Sequence, residues 1–407
     1  MDAKPKICVV GAGNASHVFM ADLAHRGYAV DVFEGYGNQA ERLNEALDEG
    51  GGIRVVDRSA PGDVREYTAR PALVSSDPAE VVPDSDVILM PLPSFAFPDV
   101  LRAIRPHLAP GTTIFGMPGQ GGLDLVATEE LADEIAGGSL TVAGIVPLPL
   151  NCRIEEFGRR VDLAAFKDSY DLAAVPAQGA PAAARLLSGL LERPVRALGH
   201  YAAITLHASN PNIHPGRLYG LFGDHAEGSV YPTNPLFYET FDDVSARWCE
   251  RISDERIAVW NALVEKTGGR IGRPGEVPDI KTYIENIYGD QIRDTSTTAT
   301  VFSSNDGFRG FRCPMKPAGD GWTLDFDNRY FTEDIPEAFC AYKGMADLAG
   351  VDTPAIDEIL AFFQRHMGKE YLRGGRLAGR DVGETKAPQA FGIHTLEDYL
   401  ARLPGPA

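Results

Sequence analysis

Along roughly the first 150 residues, short β-branched and aliphatic runs alternate with stretches of helical spacing. The first run, Ile7–Val10, stops at Gly11, and a helical stretch follows from about Ala15 to Gly27. Residues 29–33 form the next apolar run, followed by a helical pattern over 39–47 and a third strand at 53–56. Further apolar runs fall at 87–91, 113–115 and 140–146, each bounded by Gly, Pro or Asp. Apolar strands separated by helices predict a parallel, doubly wound sheet, because a strand covered on both faces has no polar side to show.

After Arg193-Pro194 the texture changes and strand-like runs largely disappear. Residues 241–266 read as one long amphipathic helix: Val244, Trp248, Ile252, Val259 and Leu263 recur near helical spacing, and Gly268 stops it. Residues 335–348 predict a second helix, with Pro336 in its first turn. Thr353-Pro354 opens a third, an N-cap followed by proline at the first helical position, which ends at Gly368. The Gly- and charge-rich stretch 373–388 reads as surface loop. The fold class expected is therefore α/β: an N-terminal Rossmann-type doubly wound domain over 1–197, then a mostly α-helical domain over 198–407 that carries the substrate chemistry.

Charge narrows the partners. The chain has 38 Lys and Arg against 57 Asp and Glu, a formal charge of −19. So acidic a surface argues against nucleic acid or an anionic membrane, since either needs a basic face. No apolar run approaches the ~20 residues of a membrane span, and the N-terminus runs into a strand without a signal-peptide core. The five cysteines (Cys8, Cys152, Cys249, Cys313, Cys340) are scattered, with no Cys-x-x-Cys pair and no Cys/His cluster. That pattern fits a reducing cytoplasm, and no metal is expected.

Gly11-Ala12-Gly13-Asn14-Ala15-Ser16 lies between the first strand and the first helix. The first glycine permits a tight turn. The second lets backbone approach a pyrophosphate seated on the helix N-terminus, where N–H groups point outward and the dipole favours an anion. Ser16 stands where the usual fingerprint has its third glycine; that place serves helix–strand packing and tolerates a small residue. Gly11, Gly13, Asn14 and Ala15 are the candidate cofactor contacts. Glu34, at the end of the second strand, can accept both ribose hydroxyls of NAD and repel the 2′-phosphate of NADP. NADH is thus expected over NADPH, with NADP as the alternative. Outside that context Glu34 is a solvated strand end. A flavin can use the same turn, but no other flavin signature accompanies it.

Two later patches carry candidate chemistry. Leu206-His207-Ala208-Ser209-Asn210-Pro211-Asn212-Ile213-His214-Pro215 reads as a loop whose prolines fix the backbone while short polar side chains project. A histidine just after a dinucleotide domain suits general acid/base work, since its ordinary pKa lies near neutrality. Taken alone, a loop histidine is more often structural, and His207 is the weaker of the two. In the stretch from Asp325 to Pro336, Arg329 can fork a carboxylate and Asp334 can orient and charge a histidine. The plainer reading is that Glu333 and Asp334 favour the next helix through its dipole, and that Arg329 makes a surface ion pair.

Five motifs together resemble the opine dehydrogenases, the octopine/nopaline dehydrogenase family, over nearly the whole chain. They are Gly-Ala-Gly-Asn-Ala-Ser-His at 11–17, Pro-Gly-Gln-Gly-Gly at 118–122, Leu-Pro-Leu-Asn-Cys-Arg at 148–153, Asn-Pro-Asn-Ile-His-Pro at 210–215 and Arg-Tyr-Phe-Thr-Glu-Asp-Ile-Pro at 329–336. The resemblance implies that His214, four residues after Asn210, is the catalytic acid/base and Asp334 its partner. It implies that Arg329 holds a substrate carboxylate and that Gln120 and Asn210 contact substrate. The implied activity is NAD(P)H-dependent reductive condensation of an α-keto acid, such as pyruvate, with the amino group of an amino acid. The product is an N-(carboxyalkyl)amino acid with a new D centre, formed by hydride transfer to the imine carbon. A keto acid and an amino acid are then the partners, and a homodimer is left open. Pro147 and Leu150 stand where the family often has Thr and Trp, so the amine stays unassigned. Two rival readings are a 2-keto acid or ketopantoate-type reductase that uses no amine, and a non-catalytic NADH-sensing protein. The second leaves the Asn/His and Arg/Asp patches unexplained. After Arg329, the next candidates for a carboxylate clamp are Arg153 and Arg217.

Overall fold

The computed structural model describes residues 4–60 and 62–403. The chain divides into two compact units, residues 4–204 with Leu403, and residues 205–402. The strands of the first unit are β1 (Ile7–Val10), β2 (Val30–Phe33), β3 (Ile53–Ala60), β4 (Asp63–Ala69), β5 (Leu73–Ser75), β6 (Val87–Met90), β7 (Thr113–Gly116), β8 (Thr141–Val146), β9 (Leu150–Glu156), β10 (Arg160–Phe166), β11 (Tyr170–Val175) and β12 (Val195–Ala197). Eight form one sheet in the order β12-β11-β8-β7-β6-β1-β2-β5. From β5 to β8 the strands run parallel, and β11 and β12 run the other way. Every residue of β1, β2 and β6 is buried, as helices on both faces require. β1 lies between β2 and β6, so the chain leaves β1 on one side and returns on the other. Open α/β sheets take ligands where the order reverses in this way, at the carboxyl ends of the strands. Gly11 follows β1 at that end, and α1 (Asn14–His25) starts there.

The strand expected at 53–56 exists as β3, but not in the parallel sheet. It belongs to a separate four-stranded sheet of order β4-β3-β10-β9, and β5 takes the place beside β2. The reason lies in β3 itself: Arg54 and Arg58 are exposed, and a strand of the central sheet has no solvent face to offer them. The division after Ile204 also falls beyond the 197/198 boundary drawn from the pattern. His200 and Tyr201 belong with the first unit. His200 Nε2–H donates to the Leu403 carbonyl at 2.7 Å, and the Tyr201 hydroxyl donates to the Gly119 carbonyl at 2.8 Å.

The second unit is helical, with two short hairpins among its described residues. Its main helices here are α2 (Asn210–Phe222), α3 (Asp243–Lys266), α4 (Cys340–Ala349) and α5 (Pro354–His366). Asp242 caps α3 by accepting from the Ser245 N–H at 2.8 Å. Ile252, Val259 and Leu263 are buried as the spacing predicts, but Val244 is exposed, and Ser245 and Cys249 take the inner face instead. Those small side chains meet glycines of α2. A Cβ on Gly216 would lie 2.7 Å from Cys249 Sγ, and one on Gly220 would lie 2.6 Å from Ser245 Oγ. The helices cross too closely for anything larger. α5 opens at Thr353-Pro354 as expected, but Thr353 does not cap it. The Glu255 carboxylate, on α3, accepts from the Ala355 and Ile356 N–H groups at 2.6 and 2.9 Å. Among the described residues no helix is long and apolar enough to cross a membrane.

The Pro118-Gly119-Gln120 turn rests on Gly144 of β8. A Cβ on Gly144 would lie 1.8 Å from Tyr201 Oη and 2.8 Å from Gly119 Cα. Gly144→Ala must move ring or backbone, and overpacking of this kind costs ~1–3 kcal/mol, occasionally more. Its thermal midpoint should fall clearly. Gly189→Ala, on a helix and with nothing within 4 Å of the new Cβ, should hold or raise the midpoint. Equal midpoints for the two variants would show that the turn is not held by this contact.

Candidate active site

In the first unit the glycine turn is built as the motif requires. Gly11 has φ 86°, and a Cβ there would lie 2.7 Å from Leu92 Cδ2, in the segment after β6. Its N–H donates to the Phe33 carbonyl at 2.8 Å. Gly13 is the N-cap of α1, no side chain caps that end, and the position of its absent Cβ has nothing within 4 Å. An uncapped helix N-terminus beside open space fits a dinucleotide pyrophosphate. Ser16 is fully buried beneath the turn, its hydroxyl 3.3 Å from the Val10 carbonyl. Glu34 is no solvated strand end. It is buried and accepts from the Tyr36 N–H at 2.8 Å. Burial pushes its carboxyl up, while the Tyr36 and Ala12 N–H groups work in the opposite sense.

The remaining residues of this motif brace the turn. Asn14 Oδ1 accepts from the Ile154 N–H of β9 at 2.8 Å, so a phosphate would meet Asn14 through its backbone. His17 is wholly buried. Its Nδ1–H donates to the Gly13 carbonyl at 3.0 Å, and Nε2 accepts from the Gly158 N–H at 2.9 Å. Burial lowers its pKa to about 4, which keeps it neutral. Gln120 is buried in its own turn, where Gly121 and Gly122 take φ 82° and 72°.

In the second unit the stretch expected as a loop is helical. Asn210 and Pro211 begin α2, where a proline's missing N–H costs nothing, and His214 comes one turn later. Asn212, fully buried, ties α2 to α3: its Nδ2 donates to the Cys249 carbonyl at 2.8 Å and its Oδ1 accepts from Arg256 at 3.3 Å. Asp334 opens a π-helical turn, Asp334–Phe339, that precedes α4, so the helix expected over 335–348 begins irregularly. Such turns recur at functional sites. His214 Nδ1 lies 2.7 Å from Asp334 Oδ2, and both residues are buried. Because the carboxylate accepts from Nδ1–H, Nε2 is left as the nitrogen that can gain or lose a proton. Tyr330 stacks on the imidazole with ring centroids 4.1 Å apart, and Phe237 meets it edge-on at 5.3 Å. The Tyr238 hydroxyl lies 3.3 Å from Nε2. Sequence reasoning did not single out Tyr238, and nothing local to it points to a histidine 24 residues earlier.

The other candidates fall into two groups. Arg329 is exposed and pairs with Glu333 at 3.3 Å; Asn210 and Arg153 are exposed too. Arg217, by contrast, is fully buried. Its guanidinium donates to the Phe237 and Thr240 carbonyls, the Thr240 hydroxyl and Ser245 Oγ, all at 2.8–2.9 Å. It is a brace for the segment bearing Tyr238, which removes it as a substrate clamp. His207 is also buried, with Nδ1 3.0 Å from the Ala208 carbonyl.

A Rossmann-type unit with an open glycine turn, followed in the chain by a helical unit with a buried His–Asp pair, describes a two-unit dinucleotide-dependent dehydrogenase. Comparison with known proteins sharpens this. Residues 197–367 match the α-helical domain of the NAD/NADP octopine/nopaline dehydrogenases. The chain is 33% identical to octopine dehydrogenase of Mizuhopecten yessoensis, over 97% of this chain and 98% of that one. It is 32% identical to tauropine dehydrogenase of Arabella iricolor, over 97% and 99%. Octopine dehydrogenase solved with NADH and L-arginine superposes with a TM-score of 0.87 at 30% identity, and solved with NADH and pyruvate, 0.84 at 29%. Each comparison covers 97% of this chain and 98% of the other. The chain belongs to the opine dehydrogenase family.

Burying a neutral His17 makes the stability of the first unit depend on pH. The folded chain resists protonating it until about pH 4, whereas the unfolded chain takes up that proton near its ordinary value of 6.5. This contribution is intact above 6.5 and is lost as pH falls toward 4, by an amount on the order of 3 kcal/mol. His17→Gln should flatten the fall in unfolding midpoint across that window. An unchanged slope in the variant would assign the pH dependence to other groups.

Proposed function

We propose that this chain is an NAD(H)-dependent opine dehydrogenase that joins an α-keto acid to the amino group of an amino acid and reduces the imine so formed. The observation that carries the reading is the buried 2.7 Å contact between His214 Nδ1 and Asp334 Oδ2, within the residues that match the family's helical domain. The octopine dehydrogenase complexes with NADH, L-arginine and pyruvate support the cofactor and both substrate classes. Octopine and tauropine dehydrogenases are about equally similar to this chain, so likeness alone does not select the amine.

When bound, NADH supplies the hydride that the imine carbon accepts. The chain's own groups do the rest. Gly11 and Gly13, with the N–H groups of Asn14 and Ala15, hold the pyrophosphate at the α1 N-terminus, and Glu34 accepts the ribose hydroxyls. Arg329 exchanges Glu333 for a substrate carboxylate, and Gln120 and Asn210 give polar contacts to substrate. Amine and carbonyl join with loss of water. His214 Nε2 takes one proton from the ammonium so that the amine can attack; a second nitrogen proton passes to the carbonyl oxygen in the adduct, and His214 returns its proton to the hydroxyl so made, which leaves as water. Asp334 orients the ring and stabilises the imidazolium while it lasts. After reduction the secondary amine takes up one proton from solvent, and the new centre has D configuration.

The test is NADH oxidation over a panel of keto acids, each with and without amino acids, with products identified by mass spectrometry. Turnover should require both substrates and should be faster with NADH than with NADPH. Oxidation with a keto acid alone would replace the reading with a ketone reductase, and NADH binding without any turnover would leave a sensing protein. With the productive pair, His214→Ala should lower kcat by ~10²–10⁴ while NADH binding is nearly kept, and Asp334→Asn should lower kcat as well. Arg329→Lys keeps the charge but loses the planar fork. It should raise KM for one carboxylate substrate and spare NADH affinity. If KM for both substrates stayed at the wild-type value, Arg329 would be only a surface ion pair, with Arg153 the next clamp to examine.

A further inference from the structure

We propose that Tyr238 is a positioning residue for this reaction: its hydroxyl engages His214 Nε2 before substrate arrives and holds the imidazole as the Nδ1–H tautomer, in the plane set by Asp334. The role rests on the dehydrogenase reading, but the contact itself does not.

The geometry is a line of three groups. Asp334 Oδ2 lies 2.7 Å from Nδ1, and Tyr238 Oη lies 3.3 Å from Nε2. The phenol has little freedom to leave. Its ring stacks on Phe308 with centroids 4.1 Å apart and 12° between planes, and meets Phe237 at 4.7 Å. The backbone on either side is pinned by Arg217, through the carbonyls of Phe237 and Thr240. The long reach of Arg217 from α2 to this segment thereby acquires a purpose, since α2 also bears His214.

The surroundings decide which way the hydrogen bond runs. The imidazole is faced by Asp334 at Nδ1, by the Tyr330 ring on one face and by the Phe237 edge. Tyr288 and Cys249 lie about Tyr238, and Arg329 and Cys313 lie about Tyr330. Burial, reinforced by Tyr330, Tyr288 and Asp334, pushes the Tyr238 phenol well above its ordinary value. The phenol therefore keeps its proton throughout the working range. Against a neutral imidazole it donates to Nε2; once Nε2 is protonated, that hydrogen bond is lost and the hydroxyl must turn its proton away. A donor aimed at the neutral form favours that form. Without it, His214 should hold its proton to higher pH and its ring should be less firmly set.

The experiment uses the full chain labelled with ¹⁵N/¹³C histidine, without substrate. In the wild type, NMR should show His214 as the Nδ1–H tautomer above its titration midpoint. In Tyr238→Phe, which keeps the ring and its stack, the midpoint should rise by ~0.5–1 pH unit, the direction expected on losing a hydrogen bond to the neutral form. Where a productive substrate pair is known, the matching limb of the kcat/KM profile should move by the same amount, with NADH affinity unchanged. Phe308→Leu loosens the packing but keeps the hydroxyl, and should move the midpoint by less. An Nε2–H tautomer in the wild type would overturn the proposal without any variant. So would an unmoved midpoint in folded Tyr238→Phe, or an equal shift in Phe308→Leu. Because the NMR readout needs no turnover, a protein inactive on every substrate pair would sink the dehydrogenase reading and leave the Tyr238–His214 contact separately decided.

Discussion

His214 is carried by α2, which lies hard against α3. Gly216 and Gly220 supply the space, each covered by a small residue of α3, Cys249 or Ser245. A polar clamp locks the crossing. Asn212 joins the Cys249 carbonyl to Arg256, and the fully buried Arg256 also donates to the Leu206 and Pro278 carbonyls and to Ser253 Oγ. Hydrogen bonds from a charged donor contribute about 1.5–3 kcal/mol each, and an unpaired buried guanidinium would be costly. The network is therefore satisfied or the crossing fails. Arg217 extends the same logic from α2 to the segment after Pro235, so one helix pair fixes the imidazole and the Phe237–Tyr238 segment beside it.

The first unit solves a different problem: exposing a helix end without losing its shape. Where α3 and α5 begin, carboxylates of Asp242 and Glu255 satisfy the first N–H groups. At α1 no side chain does so, and the turn is held from beneath instead. Asn14 reaches β9, and His17 joins the Gly13 carbonyl to the Gly158 N–H. Both ties lead to the second sheet, which gives that sheet a structural part in the glycine turn. The N-terminal end of the helix is left uncapped because the bracing comes from side chains bonded elsewhere.

Charge is arranged to match. On a chain of net charge −19, Arg217 and Arg256 are wholly buried and already committed to carbonyls and hydroxyls. Arg329 differs. Its guanidinium is exposed, though the Glu333 carboxylate it pairs with at 3.3 Å is largely covered. Exchanging that partner for a substrate carboxylate would leave the helix crossing intact, whereas recruiting either buried arginine would unmake it.

By itself the sequence determined the Rossmann-type sheet, the helical second half, the glycine turn and the acidic strand end at Glu34. All depend on local pattern: four-residue apolar strands, a glycine with positive φ at 11, and helical spacing at Ile252, Val259 and Leu263. His214 and Asp334 were visible as separate candidates, but only motifs resembling a family paired them, since nothing local joins residues 120 positions apart. Tertiary structure decided what depends on partners. It moved β3 out of the parallel sheet, because Arg54 and Arg58 need a solvent face. It turned Ser245 and Cys249 inward in place of Val244, because α2 approaches too closely for a larger side chain. It made His17 and Arg217 braces, and it brought Tyr238 to His214 Nε2. A side chain's hydrogen-bond partner is set by the folding of distant segments together, and neither composition nor periodicity encodes that meeting locally.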